Sequence, residues 1–184
     1  MRPSTPRLPP LPEEQWSAEQ RELMAPFARE GRIHNIFTTL LRHPKLLKRW
    51  LPLANHILFK SSLAPREREM VILRIAWRCG AEYEWGQHVV IAKKAGLGEA
   101  EIACIAEGPT AAGWPAFDAA ILSAVDELHD DACISDATWA ALAQRYDTAQ
   151  LMDLVFTAGN YAMLAMALNT LGVRLDPGLG GFPR

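Results

Sequence analysis

Only three of the 184 residues are cysteine, and Cys79, Cys104 and Cys133 stand far apart with no Cys-x-x-Cys spacing. That excludes a disulfide framework and a thioredoxin-like redox centre, both of which need paired thiols. The three are expected as partly buried, inert thiols. An excess of one charge is also missing: 19 basic against 21 acidic residues leave a formal net charge of −2. A nucleic-acid reader carries a basic patch to meet phosphates, so nucleic acid is not an expected partner. No uninterrupted run of about 18 apolar residues occurs, so no membrane-spanning helix is predicted and no membrane partner is expected. The N-terminus holds Arg2 and Arg7 without the apolar stretch of a secretory signal, and the chain is read as cytoplasmic. No segment alternates apolar and polar residues as a half-buried strand does.

What is present is a helical pattern. Hydrophobic residues make up 49% and charged residues 22%, the balance of a chain that folds around a core. Pro3, Pro6, Pro9, Pro10 and Pro12 deny residues 1–16 a helix and favour an extended arm, either loose or laid over a neighbouring subunit. A single helical domain is expected over residues 17–175. Ser17 with Gln20 forms a capping-box pattern for a helix to Arg29. Short helices follow over 36–42 and 45–60. Pro65 opens another that Gly80 halts, and residues 81–95 form the next, capped by Gly96. Helices are further expected over 99–105, 116–129, 137–146 and 148–171, the last ended by Gly172. Residues 176–184, rich in Gly and Pro, are expected as a loose tail. Helices of this length joined by short connections predict an all-α bundle. A loose echo between the halves (Tyr83 with Gly96-Leu97, Tyr161 with Gly172-Val173) is compatible with a duplicated helical hairpin.

Chemistry gathers in Glu82-Tyr83-Glu84-Trp85-Gly86-Gln87-His88. On a helix, Glu84 and His88 are four apart and share a face with Ala81, Trp85 and Ala92. Burial raises a carboxylate pKa and lowers that of histidine, and pairing the two opposes both shifts, so such a pair can exchange a proton near neutral pH. The competing reading is an ordinary Glu–His pair on a solvated helix face. In the preceding helix Glu69 joins the apolar stripe of Ile72, Leu73 and Ala76, while Glu67 lies on the line of Val71, Arg74 and Arg78. A buried Glu69 needs a partner or a proton; alternatively it only complements a helix N-terminus.

The stretch Leu63-Ala64-Pro65-Arg66-Glu67-Arg68-Glu69, then Ile75 to His88, then Ala95-Gly96-Leu97, resembles the carboxymuconolactone decarboxylase family, which also contains the alkyl hydroperoxidase D-like proteins. The likeness is looser through Asp126-Glu127-Leu128, Asp136 to Trp139 and Asn160-Tyr161. It implies an all-α fold of the alkyl hydroperoxidase D type, a homo-oligomer (trimer or hexamer), and a proton relay through Glu69 and His88. The hydroperoxidase branch carries Cys-x-x-Cys-x-x-x-His. Ala81 and Glu84 stand at those cysteine positions, which removes the thiol peroxidase mechanism. The decarboxylase branch implies a lyase or isomerase acting on a small organic acid or lactone, with no metal and no organic cofactor. His88 is then the proton donor, Glu84 or Glu69 its tuning partner, Tyr83 and Trp85 pocket walls, and Arg74 and Arg78 cations for an anionic substrate.

Two rivals accompany this reading. Glu82, Glu84 and His88 could join His129 or Asp126 as a metal site, although no histidine pair at i, i+4 and no His-Glu-x-x-His motif exists. The chain could also be an oligomeric small-molecule-binding module without turnover. Residues 148–171 are apolar nearly all round (Leu151, Met152, Leu154, Val155, Phe156), as befits a helix in a core or between subunits. The acidic run Asp126 to Asp131 is expected as a solvated helix end.

Overall fold

Proline at the first helical position starts the two helices on which the bundle is hung, since its fixed φ suits a helix and its missing N–H leaves no donor unpaired. The computed structural model of the chain describes residues 2–29 and 33–183; Met1, the link 30–32 and Arg184, the ends of the expected arm and tail among them, lie outside the described residues. The elements are α1 (Ala18–Arg29), α2 (Asn35–Leu40), α3 (Pro44–Phe59), α4 (Pro65–Arg78), α5 (Glu82–Lys94), α6 (Glu99–Glu107), α7 (Ala116–Asp131), α8 (Asp136–Ala143) and α9 (Thr148–Leu171), with a 3-10 turn at Glu13–Gln15. No strand occurs among the described residues, so the all-α expectation holds.

Helix α4 is the hub and packs against α5, α6, α7 and α9. Every residue from Glu67 to Ala76 is buried. Its apolar stripe faces the core as expected, but the line through Glu67, Val71 and Arg74 is buried as well. A helix surrounded on all sides shows no amphipathic period, and its charged residues survive inside only because each is paired. Glu67 is held by the Arg145 guanidinium and by the Tyr146 hydroxyl at 2.8 Å.

Gly80 ends α4 with φ +58°, and the Ala81 N–H donates to the Ala76 carbonyl at 2.8 Å, the closure of a left-handed helix cap. That turn is so tight that α5 starts at Glu82 and returns along α4, which puts His88 back beside Glu69. A smaller cluster of Met24, Leu41 and Leu47 ties α1, α2 and α3 together.

Both ends of the chain are docked. The arm lies along its own bundle: the Arg7 N–H donates to the Leu171 carbonyl at 2.9 Å and the Leu11 N–H to Thr38 at 3.0 Å. The tail, expected loose, places Phe182 edge-on to Trp77 at 5.0 Å and against Trp85 at 5.7 Å. Helix α9 is the one described helix long and apolar enough to cross a membrane by length and composition, a feature that its scattered polar residues hid from a search for unbroken apolar runs. Here Leu154, Ala158, Ala165 and Leu168 are buried in the bundle, and Met152, Phe156, Met163 and Met166 are exposed.

Candidate active site

Glu69 on α4 and His88 on α5 meet at the centre of the hairpin, His88 Nδ1 lying 2.7 Å from Glu69 Oε2. Glu69 is fully buried and His88 is 6% exposed. A carboxylate accepts only, so Nδ1 carries the proton and donates, and Nε2 is left bare. The other Glu69 oxygen accepts from Arg68 Nε at 3.0 Å and sits 2.9 Å from Arg68 Nη2. The buried carboxylate is thereby held between one cation and one imidazole, which makes the charge tolerable away from water. The order is Arg68, Glu69, His88.

Glu84, one turn before His88, is buried on the same face, and both its carboxylate oxygens are enclosed without a hydrogen-bond partner. Burial holds this carboxyl well above the ordinary glutamate pKa of 4.5, which favours its protonated form. No hydrogen bond joins it to His88; the histidine's partner is Glu69. Tyr161 on α9 closes the group, its ring edge-on to His88 at 4.9 Å and 87°. Burial and the neighbouring Glu84 and Glu69 push its phenol pKa well up, so it remains O–H.

The remaining candidates lie elsewhere. Tyr83 points away from His88: its hydroxyl donates to Asp176 Oδ2 at 2.7 Å, and Gln87 Nε2 donates to the same oxygen at 2.5 Å, a buried knot that pins the tail to α5. Trp85 is 5.5 Å from Trp77 and underlies the tail. Arg74 is fully committed: Nε and Nη2 donate to Asp126 at 2.7 and 2.8 Å, and Nη1 to the carbonyls of Ile105 and Ala106. Arg78 Nη2 donates to Asp130 at 2.6 Å. The acidic run is accordingly no bare solvated end, since Asp126 and Asp130 hold arginines and Glu127 accepts from the Ser135 N–H at 2.7 Å and from the Thr138 hydroxyl. Among the described residues no three His, Cys, Asp or Glu side chains converge as a metal would require. Cys79 is half-buried, its thiol pKa raised by burial and by Glu84.

Two surface hollows flank α5. One of about 410 Å³ lies between Trp85, Val89, Lys93, Ile102 and the tail; the other, about 520 Å³, lies between Arg2, Tyr83, Asn169 and Phe182. Neither touches His88, Glu69 or Glu84. Hollows beneath a terminal tail arise wherever a Gly-rich segment bridges helices, so the titratable cluster locates the site better than the concavity does.

Arg68 and Tyr161 were not singled out by sequence reasoning. Arg68 adjoins Glu69 in the chain, a spacing that helix-face arguments pass over. Tyr161 is 73 positions from His88; the only signal was a phenol in an otherwise apolar helix.

Residues 44–127 match the model of the carboxymuconolactone decarboxylase family. No curated protein matches the chain by sequence. Among solved structures the chain is similar to an uncharacterised peroxidase-related protein of Ralstonia eutropha JMP134 described as an alkylhydroperoxidase AhpD core, with TM-score 0.76 and 18% identity over 91% of this chain and 87% of that one. It is also similar to the debrominase Bmp8 in complex with 2,3,4-tribromopyrrole, with TM-score 0.78 and 13% identity over 95% and 94%. A peroxidase-related protein of Silicibacter sp. TM1040 gives TM-score 0.75 and 16% identity over 95% and 91%. At such identities the likeness concerns the fold, that of the AhpD-like helical bundle.

Proposed function

For a chain whose residues 44–127 belong to the carboxymuconolactone decarboxylase family, and whose fold is AhpD-like, we propose cofactor-independent acid–base catalysis: a lyase or isomerase acting on a small organic molecule. The observation that carries this reading is the buried 2.7 Å contact between His88 Nδ1 and Glu69. It fixes one tautomer, directs the bare Nε2 away from Glu69, and stabilises the imidazolium that forms when Nε2 takes a proton. The same imidazolium returns the proton to another atom of the substrate. Arg68 holds the other Glu69 oxygen in place.

Thiol peroxidase chemistry is not part of this proposal. It needs a thiolate and a resolving thiol at positions held here by Ala81 and Glu84, both buried. Purified protein tested on small lactones and β-keto acids should turn over at least one, with His88→Gln and Glu69→Gln each lowering the rate by about 10²–10⁴-fold, the ordinary worth of a positioned acid–base group. Turnover by wild type that survives His88→Gln sinks the proposal.

A second reading concerns assembly. Met152, Phe156, Met163 and Met166 are each more than half exposed and recur at steps of four, seven and three residues along one face of α9. Such a stripe suits a partner helix, in keeping with a homo-oligomer, trimer or hexamer, and with the non-catalytic alternative of an oligomeric binding module. No turnover by wild type on any substrate tried, with assembly lost in His88→Ala, would support the module.

A further inference from the structure

Two polar groups beside the Glu69–His88 pair have no work in the relay. Both carboxyl oxygens of Glu84 are enclosed without a hydrogen-bond partner, and Tyr161 lies ring to ring against His88. A carboxyl enclosed without partners is costly, and a phenol beside the relay histidine offers a donor to whatever enters there. Tyr161 is 6% exposed, as is His88, so the two rings in T-shaped contact at 4.9 Å share the same narrow access. Cations tell a complementary story. Arg68 is bound to Glu69, Arg74 to Asp126 and two carbonyls, and Arg78 to Asp130. Of these three α4 arginines only Arg68 is at the site, and its pair with Glu69 is close to neutral in sum.

We infer that the Tyr161 hydroxyl is the hydrogen-bond donor for an oxyanion formed at this site, with the Glu84 carboxyl as the neutral group behind it, and that the substrate is a small uncharged carbonyl compound. This rests on the acid–base reading above. The step balances without a co-reactant. His88 Nε2 removes a proton from the carbon next to the carbonyl, and the C–H electron pair becomes the new C=C bond. The C=O π pair moves to oxygen, where the enolate accepts the Tyr161 O–H. The imidazolium, whose Nε2 proton exchanges with solvent, then delivers a proton to carbon, at the original position or at the far end of the conjugated system. A substrate carboxylate would meet Glu69 with no uncommitted guanidinium to balance it, whereas an uncharged ketone or lactone meets two neutral donors. A neutral phenol and a neutral carboxylic acid side by side in an apolar pocket are a known way to hold an enolate oxygen. Burial raises both the Tyr161 and the Glu84 pKa, which favours the protonated phenol and carboxyl that this arrangement calls for.

The test uses 4-nitrophenolate as an enolate mimic, titrated into wild type, Tyr161→Phe and His88→Gln at a pH where the phenol is ionised, with absorbance as the readout. In parallel, proton NMR follows α-deuteration of cyclohexanone and of 2-oxobutyrate in D₂O. Wild type should bind the phenolate, and Tyr161→Phe should lose about tenfold to a hundredfold in affinity through loss of the oxyanion donor. Cyclohexanone should exchange faster than 2-oxobutyrate, and only with His88 present. No phenolate binding by wild type, or unchanged affinity in a folded Tyr161→Phe, overturns the Tyr161 assignment; faster exchange of 2-oxobutyrate overturns the uncharged substrate. Exchange that persists in His88→Gln, with phenolate binding still dependent on Tyr161, would instead break the acid–base reading and leave the oxyanion donor standing.

Discussion

Replacing Glu84 with Gln should make the protein more stable, by an amount that grows with pH. Glu84 is fully buried with neither oxygen paired, and its folded-state pKa lies well above the 4.5 of an ordinary glutamate. Below about pH 4.5 the carboxyl is neutral in folded and unfolded chains alike, so its full contribution is present. Above that value the unfolded chain releases the proton while the folded chain keeps it. The folded state then binds more protons than the unfolded one, and stability falls as pH rises until the folded pKa is reached. Each pH unit inside this window removes about 1.4 kcal/mol. Glutamine is close in shape to the neutral acid and does not titrate, so it is free of this loss. Urea denaturation of both proteins at pH 5, 6 and 7 should give stability differences that widen steadily as pH rises, until the folded-state pKa is reached. Groups with lowered pKa values, such as Asp153 held by the Ser62 N–H and His56, weaken both proteins in acid and cancel in the difference. A difference that stays flat from pH 5 to 7, or that opens toward acid, refutes a neutral Glu84.

Arg74→Met should cost about 1–3 kcal/mol by removing both donors to the half-buried Asp126, which keeps only Arg78 Nη1 at 3.5 Å, and by stranding the Ile105 and Ala106 carbonyls; it should lower the urea midpoint while leaving the KM of the surviving fold unchanged. Gly86→Ala raises helix propensity, yet its Cβ would lie 2.6 Å from the Gly180 carbonyl oxygen and 2.7 Å from Leu175 Cδ2. Limited proteolysis should therefore clip the tail of this variant faster than that of wild type, and equal rates would mean the tail is not held there. Phe182→Ala should release the same tail at a cost of about 2 kcal/mol, read by urea denaturation with tryptophan fluorescence, because Trp77 and Trp85 lose their edge contact. Met163→Glu with Met166→Glu should shift an oligomer toward monomer in light scattering, and an unchanged mass would remove α9 from the interface.

Much of this molecule is legible in its residues, for identifiable reasons. Pro65 and Gly80 bracket α4, Gly96 and Gly172 end α5 and α9 with positive φ, and Ser135 caps α8 by accepting from the Thr138 N–H. These are local effects, and local effects are what a chain spells out. Helical spacing put Glu84 and His88 on one face but left open whether Glu84 or Glu69 is the partner. The His88 partner is Glu69, nineteen positions back across a turn, and the resemblance to the family supplied that residue where periodicity supplied only its stripe. Tyr83 and Trp85 flank the site residues in sequence yet face the tail, since neighbours on a helix point about 100° apart. Arg74 and Arg78 read as free cations because their acceptors, Asp126 and Asp130, sit about fifty positions away on α7. Tyr161 was hidden by the same distance.

The nitrogen-15 NMR spectrum of His88, recorded on wild type and on Glu69→Gln, tests the acid–base relay without needing a substrate. The expected result is a single tautomer with Nδ1 protonated and Nε2 bare in wild type, changing to a mixture in Glu69→Gln. A wild-type histidine protonated at Nε2, or a spectrum that Glu69→Gln leaves unmoved, would mean that Glu69 does not set the imidazole and that the proposed catalyst is absent.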